Sequence, residues 1–107
     1  MKDVMGLMKQ AQAMQAKLAQ TQAELEQLQV EGRSGGGLVR VTMTAKGQIK
    51  SVTIDPSLLK PEEAEIVEDL IVTACDDARR KADGLAEEKM RAVTAGLPLP
   101  PGMKLPF

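Results

Sequence analysis

A chain of 107 residues with no His, Trp or Tyr, one Phe and one Cys is one domain by size, built on an aliphatic core. One Cys and no His exclude an internal disulfide, the usual zinc sites and catalysis of the Ser-His or Cys-His type. The formal net charge of −1 argues against a strongly electrostatic binder of polyanions, at least in bulk.

Residues 2 to about 29 hold no Pro and are dense in Gln, Ala, Leu, Lys and Glu, all good helix formers. Val4, Leu7, Ala11, Met14, Leu18, Thr21, Leu25 and Leu28 repeat in a 3-4 rhythm, an a/d seam with one polar member. Met1, Met5 and Met8 widen the apolar surface at its start. Such a helix is about 40 Å long, whereas a compact domain of this size is roughly 26 Å across. It is therefore predicted to project, with its seam covered by another helix of this chain or of a second copy.

The segment from Val30 to Pro56 changes period. Val39, Val41 and Met43 alternate with Arg40, Thr42 and Thr44, as do Val52 and Ile54 with Ser51 and Thr53, which predicts strands with one buried face. Ala45-Lys46-Gly47 is the turn between them, and Val30–Arg33 forms a first strand closed by the Ser34–Gly37 turn. Ile49 has the wrong parity, which suggests a bulge or a partly covered second face.

After Asp55-Pro56-Ser57, Pro61 with Glu62, Glu63 and Glu65 marks a helix N-terminus. Ile66, Val67, Leu70, Ile71, Ala74, Cys75, Ala78, Ala82, Leu85 and Val93 form its apolar stripe, with Gly84 a weak point and Gly96 a C-cap. The fold class is α+β, in the order α-β-β-β-α. Open sheet edges, long helices and the small residues Ala74, Cys75, Ala78 and Ala82 point to a homodimer. Residues 1–96 are the dimerising domain. Residues 97–107, GLPLPPGMKLPF without its first Gly, are an extended Pro-rich strip that packs on the body or the partner.

The chemistry of catalysis is sparse. Ser34-Gly35-Gly36-Gly37 lacks the phosphate-loop pattern and reads as a turn. Asp76-Asp77 and Glu87-Glu88 are adjacent, so each pair splays around the helix, and Cys75 lies on the apolar stripe. No enzyme activity, cofactor, metal or small-molecule substrate is expected. No apolar run approaches the about 18 residues of a membrane span, and no secretory signal opens the chain, so a cytoplasmic location is expected.

The near-neutral total hides a dipolar chain. Residues 31–60 carry five bases against two acids, a net of +3, and residues 61–95 carry five against ten, a net of −5. The first helix bears Lys2, Lys9 and Lys17 at spacings of seven and eight, near one face. The second bears Arg79, Arg80 and Lys81, then Lys89 and Arg91. On the residues alone these bases are either a solvated surface or basic arms for DNA phosphates, doubled by dimerisation. Asp77 and Asp76, three positions before Arg80 and Arg79, would tie those arginines in intrahelical pairs, which favours the first-helix lysines.

Five stretches carry a resemblance to a known family: MKQAQAMQ at Met8–Gln15, VTIDPSLL at Val52–Leu59, the acidic run Pro61–Asp69, EEKM at Glu87–Met90 and LPPGMKLPF at Leu99–Phe107. In this order, over nearly the whole chain, they resemble the YbaB/EbfC family of bacterial nucleoid-associated proteins. The resemblance implies a small homodimer with projecting helices that binds double-stranded DNA, with roles in nucleoid organisation and gene regulation and without enzymatic activity. It carries no single DNA-reading motif. It implies a location only, the projecting ends of the long helices, hence Lys2, Lys9, Lys17, Arg79, Arg80, Lys81, Lys89 and Arg91. The alternative is a protein–protein adaptor that uses the Met-rich seam and the Pro-rich strip.

Overall fold

The computed structural model describes residues 2–94, with side chains from Val4 onward. Helix α1 (Lys2–Gln27) leads into strands β1 (Gln29–Ser34), β2 (Val39–Thr44) and β3 (Ile49–Ile54), and helix α2 (Ala64–Thr94) follows. The α-β-β-β-α order and the antiparallel β1-β2-β3 meander agree with the sequence reading. The Gly96 cap and the 97–107 strip lie outside the described residues. Helix α1 passes through Gly6, and α2 through Gly84, without a break. Pro61–Glu63 makes one tight 3-10 turn, and the regular α-helix starts only at Ala64.

Alternation in β2 seats Val39, Val41 and Met43 against Ala74, Ala78 and Ala82 of α2, and these six residues are the core. Small side chains on α2 let helix and sheet approach closely. The closest approach is at Gly32 of β1, where a Cβ would overlap the Ala74 carbonyl and the Ala78 amide. Thr44 breaks the alternation and is fully buried. Its hydroxyl accepts from the Gln48 amide at 3.1 Å, so it anchors the β2–β3 turn. The β1–β2 connection has Gly35, Gly36 and Gly37 at φ of 60°, 69° and 98°, three successive left-handed residues that only glycine adopts readily.

The bulge suggested by Ile49 is present. Val39, Val41 and Thr42 pair with Ile54, Val52 and Ser51, after which Met43 pairs with Ile49, leaving Lys50 as the extra residue. Ile49 is thereby returned to the face of Val52 and Ile54. Helix α2 packs on β1 and β2. Along β3, Val52 is 44% exposed and Ile49 52% exposed on that same face.

The two helices run antiparallel beyond the sheet. Along α2, Leu70 lies at Ser34, Ala78 at Gly32, Lys81 at Glu31 and Lys89 beside Gln20–Leu28, so α2 ascends as the first half of the chain descends. The seam of α1 is covered only near the sheet. Thr21 and Leu25 are buried, Met14, Leu18 and Leu28 are half-buried, and Val4 and Leu7 are exposed. Met90 of α2, which the apolar stripe omitted, is buried in this arm, whereas Ile66, placed on the stripe, is exposed. The radius of gyration is 19.8 Å, well above the roughly 13 Å of a compact chain of this length.

Candidate nucleic-acid interface

The arm formed by α1 and the last turns of α2 carries a first group of bases. Lys9 and Lys17 are exposed and take no part in the five ion pairs among the described residues. At about 100° per residue, Lys9 is diametrically opposite Leu18 and Lys17 lies about 80° from Lys9. Lys9 therefore points away from the seam that meets α2, whereas Lys17 lies on its flank, about 40° from the buried Thr21. Lys2 starts the same helix within about 20° of Lys9, and its side chain lies outside the described residues. On α2, Arg91 is exposed in the last described turn. Lys89 is half-buried and lines a shallow groove with Gln20, Ala23, Glu24, Gln27 and Leu28.

The Arg79-Arg80-Lys81 cluster sits instead where α2 crosses the sheet, and the charges of Arg80 and Lys81 have a local carboxylate partner. Asp77 is the hub. It accepts the Arg33 amide of β1 at 2.9 Å, faces Arg80 at 3.6 Å and Lys81 at 3.1 Å. Lys81 also donates to the Glu31 carbonyl at 2.8 Å. The Arg33 amide, and then the Lys81 ammonium, hold the Asp77 carboxyl below its ordinary value. These contacts join α2 to β1, so Lys81 is a structural tether. Arg80 meets Asp77 as the spacing predicts. Arg79 and Asp76 form no such pair, and the Arg79 guanidinium lies over Gly47 of the β2–β3 turn.

Two exposed bases outside the expected set, Lys50 at the bulge and Lys60 before α2, take no part in these ion pairs. The +3 excess of residues 31–60 was the signal for them. Arg33 and Arg40 both face Glu31, at 3.3 and 3.8 Å, and Lys46 faces Glu26 at 3.2 Å. Among the described residues the other displaced carboxyl is Asp55, lowered first by the Ser57 hydroxyl and then by the Ser57 amide in the turn after β3. Among the described residues no three His, Cys, Asp or Glu side chains come together to hold a metal ion, and no helix is long and apolar enough to cross a membrane. What the arrangement offers chemically is positive charge on a projecting rod.

Known proteins place this geometry. A nucleoid-associated protein of Methylocella silvestris is 65% identical over 107 residues, the full length of both chains. One of Beijerinckia indica is 66% identical over 94% of this chain and 99% of its own. One of Agrobacterium fabrum is 54% identical over the full length of both. An uncharacterized protein of Helicobacter pylori has the same fold in its crystal structure, with a TM-score of 0.73 and 22% identity over 88% of this chain and 98% of that one. Residues 1–97 match the family profile described as the YbaB/EbfC DNA-binding family. With the α-β-β-β-α order, the five motif stretches and full-length relatives in agreement, the chain belongs to the YbaB/EbfC DNA-binding family.

Proposed function

We propose that this chain binds double-stranded DNA as a homodimer, mainly through phosphates, and acts in nucleoid organisation and gene regulation rather than in catalysis. The observation that carries the reading is the exposure of Lys9 and Lys17 on the projecting helix, Lys9 opposite its packed seam and Lys17 beside it, both without carboxylate partners among the described residues. Side chains of this kind meet phosphates without reading bases, so sequence preference is modest. A rod presents them better than a concave site does. Family membership and the names of the relatives support DNA and the bacterial nucleoid as the setting.

The open face of β3 supports the dimer. Among the described residues Ile49, Val52 and Val72 keep large apolar side chains exposed, and Ile54 and Cys75 are half-buried. A second copy related by a two-fold axis covers both faces at once and gives the assembly two arms. The adaptor reading draws on the exposed Val4, Met5, Leu7 and Met8.

Fluorescence anisotropy with a labelled duplex across a salt series tests the proposal. Affinity falls as salt rises if phosphates are contacted. Absence of binding at low salt refutes it in favour of the adaptor. Sedimentation at micromolar concentration gives about twice the 11.5 kDa chain mass, and a monomer would remove the two-armed geometry.

A further inference from the structure

We propose that the outer face of the sheet, turned away from α2, is a second phosphate-contacting surface for duplex DNA, built on the cross-strand pair Arg33 and Arg40. The inference rests on the DNA-binding reading above and adds a surface on the body to the one on the arm.

Strand register defines this face. Val39, Val41 and Met43 turn inward to α2, so the alternate positions face outward. Arg33 pairs with Arg40 and Arg40 with Thr53, while Glu31 pairs with Thr42 and Thr42 with Ser51. These side chains form two adjacent rows across the three strands, and Arg33, Arg40, Ser51 and Thr53 are exposed. Hydrogen bonding sets the spacing of the arginines. The Arg33 amide donates to Asp77 and the Glu31 carbonyl accepts from Lys81, so both backbone groups point away from β2. Arg33 and Arg40 are therefore a non-hydrogen-bonded pair with Cα atoms about 4.5 Å apart, the closer of the two antiparallel spacings.

Like charges directly opposite one another weaken a sheet. Here one carboxylate, that of Glu31, faces both guanidinium groups, at 3.3 Å from Arg33 and 3.8 Å from Arg40. Among the described residues only the Arg33 contact is a side-chain hydrogen bond, so most of the donors on the two forks are left open. Converging forks with open donors match a phosphate group, whose oxygens accept in pairs. The hydroxyls of Thr42, Ser51 and Thr53 supply further donors on the same face. Lys50, next to Ser51 in the chain, adds an exposed ammonium outside the five ion pairs among the described residues. Asp55, two residues beyond Thr53, is turned to the Ser57 amide. Three bases, Arg33, Arg40 and Lys50, against Glu31 leave a net of +2 that complements a DNA backbone. Lys9 lies about 30 Å along α1 from the start of β1, and Arg33 about 13 Å further along the strand. Arm and sheet therefore contact different phosphates.

Arg33→Gln with Arg40→Gln in the full chain tests the assignment, by duplex anisotropy across a salt series and by urea unfolding. Binding should weaken about fivefold at low salt, and the salt slope should shrink by about one unit for each phosphate released. The urea midpoint should stay level or rise, because the like-charged pair is gone. Glu31→Gln, which frees both guanidinium groups, should tighten duplex binding about threefold. A parent chain that binds duplex while the arginine variant matches it in affinity and slope overturns this inference and leaves the arm reading intact. Weaker binding with a lowered midpoint overturns it too, since the pair would then be structural. So does a Glu31→Gln chain that binds no more tightly than the parent. A parent that binds no duplex at low salt overturns both readings.

Discussion

Gly32 of β1 lies directly beneath Ala78 of α2, with no room for a side chain between them. A Cβ on residue 32 would stand 2.7 Å from the Ala78 Cβ and closer still to the backbone of Ala74 and Ala78. Backbone inside a helix cannot step aside as a flexible side chain can. Gly32→Ala should therefore destabilise the fold by about 3 kcal/mol, toward the upper end of overpacking costs. Urea unfolding at fixed protein concentration measures it. A midpoint unchanged within error would show that helix and strand separate more easily than this contact implies.

The Asp77 hub gives a pH dependence with a definite sign. Its folded-state value is depressed below 3.8, first by the Arg33 amide and then by Lys81. A depressed carboxyl contributes stability that is present above the unfolded value and lost as pH falls through the folded one. Unfolding midpoints should fall with acid below about 3.8 in the parent chain. In Asp77→Asn, whose amide oxygen still accepts from Arg33, that part of the acid limb should be missing. Identical acid limbs would locate the dependence elsewhere.

Charge removal discriminates between the two sets of bases. Lys9→Ala with Lys17→Ala should weaken duplex binding about tenfold at low salt and reduce the salt slope by about one unit for each lysine that contacts a phosphate. Arg79→Ala with Arg80→Ala should change binding less, because Arg79 covers the β2–β3 turn and Arg80 faces Asp77. Circular dichroism and sedimentation should be unchanged for the lysine pair. If the arginine pair abolishes binding and the lysine pair leaves it intact, the interface lies on the body and not on the arm.

Val52→Asp addresses the dimer. The residue is 44% exposed in one chain, so the substitution disturbs little within it. Buried against a second copy, the same carboxylate would be unpaired and costly. Dimer affinity should drop by about a hundredfold or more while helix content is retained. Light scattering that still gives twice the chain mass at low micromolar concentration would move the interface away from β3.

Most of this architecture was legible because periodicity and burial agree. The alternation of Val39, Val41 and Met43 did point to the core, and the misplaced Ile49 did signal a bulge. The α1 seam was harder, since a 3-4 rhythm says which face is apolar and not how far a neighbour extends along it. Here α2 covers Thr21 and Leu25 but leaves Val4 and Leu7 exposed. Local spacing also misjudged Arg79. An acid three residues away invites a pair, but Gly47 offers the guanidinium a flat surface that only the folded β2–β3 turn creates. Asp77 could be linked to Arg80 from spacing, but its bond from the Arg33 amide spans 44 residues and has no local trace. Lys50 and Lys60 were visible as a regional charge excess, and only the fold separates them from Arg33, Arg40 and Lys46, whose charges face Glu31 and Glu26.

The bulge at Lys50 also sets where this chain tolerates a change of length. In an ordinary strand, removing one residue turns every later side chain to the opposite face. Here Met43 faces Ile49 and Thr42 faces Ser51, so Lys50 alone has no cross-strand counterpart. Deleting it would bring Ile49 and Ser51 into consecutive register, with Ile49, Val52 and Ile54 each still opposite its present neighbour. The strand would lose local twist and one positive charge, while its apolar face would survive. Removing Lys46 instead would shorten the tight turn beside Gly47, where the Thr44 carbonyl and hydroxyl already hold the Gly47 and Gln48 amides. Relatives one residue shorter in this hairpin should therefore have lost it at the bulge, with the turn preserved.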